Sequence, residues 1–455
     1  MNIPKLICPI IFIITFSFIK TSPIKLEFKS GLCKGYENKE FLSNYYNQYL
    51  FTTISIGSNN QKIDLALKLN RYITYITGSG NSQLKSEFFD EKNSNTYKQL
   101  EEKETESTED EFFISYKSKD NINFGDKLTF NNFIFFLSQK QYFDESGHIG
   151  LKMLPADMDK NKFLSYNFIS QLKSNLLINS QYFYFKFNNI ENNNEFNYNG
   201  YLILGATPHE FEENDLFKEK NFHEIYAKID EDLNTRWNLE ILEVKYGNNV
   251  LSKNDLGEFS TTFGFIVAPL SFFDIYDKFF SKNKCYGYYN GDKDDKNYIY
   301  FYCEEGVDLT KFENVIITTK NKEMNFVLNY KDLFRKIGNY YYFLILFNQD
   351  ISEWIFGHIF LSKYTIVFNP EKKTIGYYND KTNLENNFLN DNKNKNTIII
   401  FVVLSTIFLA IIIGLLVYMF YYRPRYRKIR PNELEENFDY SPNDNDLREK
   451  SKLGV

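Results

Sequence analysis

Residues 397–422, TIIIFVVLSTIFLAIIIGLLVYMFYY, contain no Asp, Glu, Lys or Arg. In lipid such a run satisfies its backbone only as a helix, and it is long enough to cross a bilayer once. It therefore divides the chain into a large portion before the span and a short one after it. The basic cluster RPRYRKIR (423–430) follows directly, and the positive-inside tendency assigns it to the cytoplasm. Within it YRKI (426–429) has the tyrosine-x-x-bulky pattern of sorting signals, though it reads first as basic flank. The aromatic exit of Tyr418, Phe420, Tyr421 and Tyr422 suits the membrane interface. A second apolar run, LICPIIFIITFSFI (6–19), follows Lys5, is shorter than a span and precedes the small residues of KTSP. It reads as a secretory signal peptide covering 1–22, with a retained anchor or a buried strand as the alternative. The expected topology is single-pass type I. An ectodomain lies in the secretory lumen, in an endolysosome or at the cell surface, residues 397–422 sit in the lipid bilayer, and 423–455 form a cytoplasmic tail.

A chain of 455 residues exceeds what one hydrophobic core usually serves, so a two-lobed globular region is expected before the span. Its 46 Phe and 35 Tyr favour half-buried strands. A formal charge of −6 leaves no basic footprint for nucleic acid. From Tyr45 to Asp380 short strands alternate with turns. Ile54 and Ile56 alternate with polar neighbours, a polar turn covers Gly57 to Lys62, and Ile63, Leu65 and Leu67 resume the alternation before Lys68. FFISYKSKDNINFGDKLTFNNFIFFLS (112–138) reads as strand, turn, strand, turn, strand. NKFLSYNFISQLKSNLLI (161–178) reads as a helix with Leu164, Phe168, Leu172 and Leu176 on one face. EEKETESTEDE (101–111) reads as a solvated acidic loop, with docking of a basic partner as the alternative. NNIENNNEFNYNG (188–200) and YNGDKDDKN (289–297) read as polar turns, and residues 381–396 as a flexible stalk.

Cysteine usage fits the same compartment. Cys8 leaves with the leader, and Cys285 and Cys303 are expected to form a disulfide closing a short loop, which contributes about 3 kcal/mol if unstrained. Cys33 is left as a buried thiol or an intermolecular bridge. No N-x-[ST] sequon occurs in the ectodomain. His148, His209, His223 and His358 lack ligand spacing, so no metal site is expected, and no glycine-rich phosphate loop or G-x-S-x-G elbow implies a cofactor or a serine nucleophile.

Several stretches nevertheless share one pattern in order. They are YYNQYLFTTISIGSNNQKIDLAL (45–67), FFISYKSK (112–119), SGHIGLKML (146–154), FNYNGYLILGATPHEF (196–211), WNLEILEVKYG (237–247) and WIFGHIFLSKYTIVFNPEKKTIGYY (354–378). Across 45–380 the ectodomain resembles the pepsin-like aspartic proteases. The resemblance implies a mainly β, bilobal acid-protease fold, with lobes at 45–215 and 216–380 followed by a single transmembrane helix. It sets Tyr116 on the family's flap tyrosine, facing a substrate cleft that takes peptide or protein.

The departures fall where the resemblance puts the chemistry. Counting from Gly57 through Gln61 sets KLN on the first Asp-Thr-Gly, so Lys68 stands on one catalytic aspartate. Counting back from Pro269 sets STT on the second, so Ser260 stands on the other. No Asp-Thr-Gly or Asp-Ser-Gly occurs in the chain, the flap glycines are Lys117 and Lys119, and an aspartate of the closing signature is His358. Asn70 and Thr262 replace the glycines of the two loops, and Thr262 is expected to force the second loop to rearrange. The implied mechanism needs two carboxylates sharing a proton, which neither an ammonium nor a hydroxyl supplies. The expectation is a catalytically inactive pseudoenzyme. Three alternatives accompany it: an active aspartic endopeptidase using Asp64 with Asp255 or Glu258, a Ser260–Lys68 dyad, and a structural or adhesion module whose cleft is filled by Arg71, Lys117 and Lys119.

Overall fold

The computed structural model describes residues 22–32, 48–79, 88–107, 112–124, 128–140, 146–155, 158–188, 197–214, 216–229, 236–290, 298–321, 324–348 and 350–378. All belong to the unit Met1–Asp380. The apolar run 6–19, Cys33, the stalk, the span 397–422 and the tail lie outside the described residues. Among the described residues no helix is long and apolar enough to cross a membrane.

The described chain is mainly β. The first part supplies β1 (Ile24–Leu32), β2 (Gln48–Ile56), β3 (Gln61–Lys68), β4 (Tyr75–Thr77), β5 (Lys98–Ser107), β6 (Phe112–Phe124), β7 (Leu128–Lys140), β8 (Gly147–Gly150), β9 (Phe183–Phe187), β10 (Asn199–Leu204) and β11 (Phe222–Tyr226). The second supplies β12 (Asn238–Tyr246), β13 (Asn249–Phe259), β14 (Ile266–Pro269), β15 (Cys285–Asn290), β16 (Tyr298–Glu304), β17 (Val315–Thr319), β18 (Asn325–Leu328), β19 (Phe334–Ile337), β20 (Tyr340–Phe343), β21 (Ile345–Asn348), β22 (Trp354–Phe356), β23 (Val367–Asn369) and β24 (Thr374–Tyr378). One sheet runs β11-β24-β23-β9-β10-β1-β2-β3-β8-β4-β7-β6-β5, and the other β18-β17-β12-β13-β22-β14-β21-β16-β20-β19 with β15 on β16. One continuous apolar core joins them. Phe183 stacks on Phe368 at 5.1 Å, and Trp237 meets Phe368 edge-on at 5.0 Å.

The two sheets repeat one unit. In the first, β3 lies parallel to β8, β8 antiparallel to β4, and β4 parallel to β7. In the second, β13 lies parallel to β22, β22 antiparallel to β14, and β14 parallel to β21. Each unit opens on an antiparallel hairpin, β2–β3 or β12–β13. The alternation read at Ile54, Ile56, Ile63 and Leu65 thus belongs to the strand pair that delivers Lys68 to the centre.

Cys285 of β15 stands opposite Cys303 of β16, and the two form a disulfide bond. β1 precedes the expected lobe start at Tyr45 and sits inside the first sheet, between β10 and β2.

Three local expectations need correction. The helix expected over 161–178 is two short helices, Lys160–Tyr166 and Phe168–Ser174, broken at Asn167, whose side chain caps the second by accepting from Ser170 N at 3.1 Å. Leu176 falls beyond both and is 80 % exposed. The acidic run is not a loop at its start, because Lys98–Ser107 forms β5 against β6. Nor is there a turn inside 112–124. Ser118 and Asp120, polar residues that suggest one, point inward, where Asp120 accepts from Ser94 Oγ at 2.7 Å and Ser118 contacts Tyr97 OH at 3.2 Å. A satisfied polar pair under a sheet looks like a turn in sequence.

Candidate functional site

Lys68 ends β3 in register with Gly150 of β8, and Leu151 N donates to Lys68 O at 2.9 Å. In the second unit Phe259 pairs with Phe356, and the same register continued by one residue sets Ser260 beside Gly357. Ser260 N donates to Phe356 O at 3.1 Å. Lys68 and Ser260 are therefore equivalent positions of the repeated unit, reached here without counting along the sequence. Both are buried.

The two strand ends are also tied to each other. Thr261 Oγ1, fully buried, donates to Leu67 O across the sheets, and Thr261 O accepts from Leu50 N at 3.3 Å. Trp237 Nε1 donates to Leu151 O at 3.1 Å. Thr261 and Trp237 are functional-site residues that sequence reading gave no bonding role, since these partners lie far along the chain. Replacing Thr261 by Val is expected to leave the Leu67 carbonyl without this donor and to cost about 1–3 kcal/mol, whereas Thr261→Ser keeps the bond. Urea midpoints of the two variants check this, and a Val variant as stable as the parent would show the bond to be idle.

Ser260 Oγ is engaged locally, 2.9 Å from Thr262 Oγ1 and accepting from Thr262 N at 3.2 Å. Neither Asn70 nor Thr262 is among the residues with positive φ. The rearrangement expected from Thr262 is therefore not a left-handed strain, because its loop closes through the Ser260 hydroxyl.

The surroundings of Lys68 are basic and aromatic. Its ammonium lies 5.4 Å from the centroid of Tyr49. His148, on the neighbouring strand, is 1 % exposed. Burial first, then the charges of Lys68 and Arg71, hold its imidazole well below the ordinary range, so it is neutral. The Tyr75 ring lies 5.2 Å from that of His148, and Phe136 and Tyr166 continue the cluster to Lys117, whose ammonium is 4.6 Å from the Tyr166 centroid. Tyr116 sits in the middle of β6, paired with Lys103 and Leu137. The register thus carries it inside a three-stranded ladder instead of beside a hairpin tip, and residues 108–111, which join β5 to β6, lie outside the described residues.

The acids named as an alternative carboxylate pair are each committed elsewhere. Asp64, half-exposed and not buried as its strand position suggests, accepts from Thr53 Oγ1 and pairs with Lys29 at 3.3 Å. Asp255 accepts from Trp354 Nε1 at 3.2 Å. Glu258 pairs with Arg236 at 3.1 Å, and burial raises its carboxyl against that cation. His358 begins the helix His358–Lys363, and its Nε2 is 2.9 Å from Thr261 O. Burial lowers its pKa to about 4. Among the described residues no group of three or more His, Cys, Asp or Glu is placed to hold a metal ion.

The family model described as eukaryotic aspartyl protease matches residues 48–379. A comparison with curated proteins gives no match.

Proposed function

Because the chain belongs to the eukaryotic aspartyl protease family, we propose that it is a pseudoenzyme of that family, which holds peptide or protein between its two halves without cutting it. The observation that carries this reading is the identity of the two equivalent strand ends, Lys68 and Ser260. Water attack on a peptide needs one group to take a proton and another to give one, and a carboxylate pair sharing a proton does both. An ammonium accepts no proton at neutral pH, and an alcohol hydroxyl is no base. General acid and general base are each worth about 10²- to 10⁴-fold in rate, so losing both removes useful turnover.

The rest of the proposal concerns place. The run 397–422 anchors the chain in a bilayer, and the fold stands on the non-cytoplasmic side in a secretory, endolysosomal or surface membrane. The disulfide between Cys285 and Cys303 supports an oxidising compartment.

The test is an incubation of full-length protein with unfolded casein from pH 3 to pH 7, with and without pepstatin. No pepstatin-sensitive fragments are expected at any pH. Their appearance, together with their loss on replacing Glu258 or Asp255, would return the protein to the active members of the family.

A further inference from the structure

An antiparallel sheet with one face in water alternates apolar residues inward with polar ones outward. On β15, β16 and β20 the outward set is tyrosine. Tyr286 and Tyr288 stand opposite Tyr302 and Tyr300, and across the next ladder Tyr342 stands opposite Tyr302, with Tyr340 two residues before it on β20. The other face is the packed one, since a Cβ on Gly287 would stand 2.8 Å from the ring of Phe301, which is buried. The tyrosine rings are contiguous, with centroids 5.6 Å apart for Tyr286 and Tyr302, 5.2 Å for Tyr288 and Tyr300, and 5.2 Å for Tyr302 and Tyr340. Tyr286, Tyr288 and Tyr340 are 46, 42 and 41 % exposed, and the other three are half-buried. Cross-strand aromatic pairs steady a sheet, but that role does not require rings left in water side by side, and a contiguous exposed aromatic patch marks a contact surface.

Two observations decide what this surface takes. The first is the strand edge. Among the described residues β15 pairs with β16 alone. Glu304 N donates to Lys284 O at 3.0 Å, so by the alternation of an antiparallel ladder Gly287 turns its N–H and C=O away from β16. An extended main chain is what matches such an edge. The second is size. At roughly 200 Å² per ring, the three exposed tyrosines offer about 260 Å², against about 800 Å² per partner in a stable protein complex. That is too little for a second copy of this chain and enough for one strand. Beside the rings, Glu304 accepts from Tyr286 OH at 2.7 Å and pairs with Lys284 at 3.8 Å, and Glu305 pairs with Lys336, so neither acid stands there as an unbalanced charge. We propose that an extended peptide segment adds to the β15 edge as a further strand, its main chain pairing at Gly287 and its apolar or aromatic side chains, at every second position, lying over Tyr286 and Tyr288. This surface uses neither Lys68 nor Ser260, and the assignment goes beyond the reading of the centre.

The test uses full-length protein in detergent and three labelled nine-residue peptides. One alternates Phe with Thr, one alternates Ser with Thr, and the third is the Phe peptide methylated on alternate main-chain nitrogens, which keeps its side chains and removes the donors of one edge. Fluorescence anisotropy is expected to give the Phe peptide about 10-fold tighter binding than either of the others. Tyr286→Ser and Tyr288→Ser together are expected to weaken it about 10-fold, whereas Tyr226→Ser, on β11 and 82 % exposed, leaves it unchanged. Urea midpoints verify that the variants are folded, and the methylated peptide carries the result on the parent protein should the double variant fail to fold. Equal binding of the methylated and unmethylated peptides would overturn the strand pairing. Equal binding by parent and double variant would place the peptide elsewhere, the centre included, and overturn the assignment. A dimer in sedimentation velocity that the double variant dissolves, or binding of chitohexaose in place of the Phe peptide, would give the face to a second copy or to a glycan and overturn it as well.

Discussion

Acidification from about pH 6.5 to about pH 4 is expected to cost the folded protein about 3 kcal/mol through His358 alone. The ring is fully buried, its Nε2 is 2.9 Å from Thr261 O, and the Tyr198 ring meets it edge-on at 5.3 Å. The carbonyl fixes the tautomer with hydrogen on Nε2, so a second proton must enter at Nδ1, which has no hydrogen-bond partner among the described residues. Burial therefore lowers the folded pKa to about 4, against an unfolded value near 6.5. Between those limits the unfolded chain binds the proton and the folded chain does not. Stability is complete above the unfolded value and is lost as pH falls towards the folded one. His148 adds loss in the same direction, being buried beside Lys68 and Arg71. Glu258, whose pKa burial raises, acts oppositely, and Tyr198, pushed up to about 12, does not titrate in this range. Denaturant melts at pH 7, 5.5 and 4 measure the loss, and His358→Asn and His148→Ile should each flatten the profile. Profiles of unchanged slope in both variants would place the acid sensitivity elsewhere.

Those two histidines also mark how far sequence reading reaches. Period-two alternation in β2 and β3 and the paired positions of Cys285 and Cys303 are local patterns, and local patterns survive translation into structure. The order of matching stretches led to a family, and the family brings the two halves together. What stayed hidden depends on distant partners. Asp120 is legible as a strand residue only once Ser94 and Thr96 are known to satisfy it, and Asn167 breaks a helix because its side chain caps the next one. Thr261 shows its bond to Leu67 only when the second sheet closes on the first. The equivalence of Lys68 and Ser260 is visible along the chain by counting, but in the fold it rests on ladder register, a stronger argument because a slip of one residue would turn every side chain to the other face.

Gly357→Ala is expected to destabilise the protein by more than about 3 kcal/mol, and Gly150→Ala, at the equivalent position, by a similar amount. Backbone conformation is not the reason, since Gly357 has an ordinary φ of −84°. Space is. A Cβ on Gly357 would stand 2.1 Å from Phe265 O and 2.4 Å from Phe263 O, and on Gly150 it would stand 2.3 Å from Ile73 O. These are main-chain atoms, which cannot swing aside as a side chain does. At Gly31, by contrast, a Cβ meets only the Phe51 ring at 3.3 Å, so Gly31→Ala should be tolerated. Soluble yield and urea midpoints of the three variants check the order, and a Gly357→Ala protein within about 1 kcal/mol of the parent would refute it. The glycines let a second strand and loop press against the backbone beside Lys68 and Ser260, a requirement of packing that holds whatever side chain the strand end carries. Packing thus fixes the framework around the centre independently of the two residues it presents, here Lys68 and Ser260.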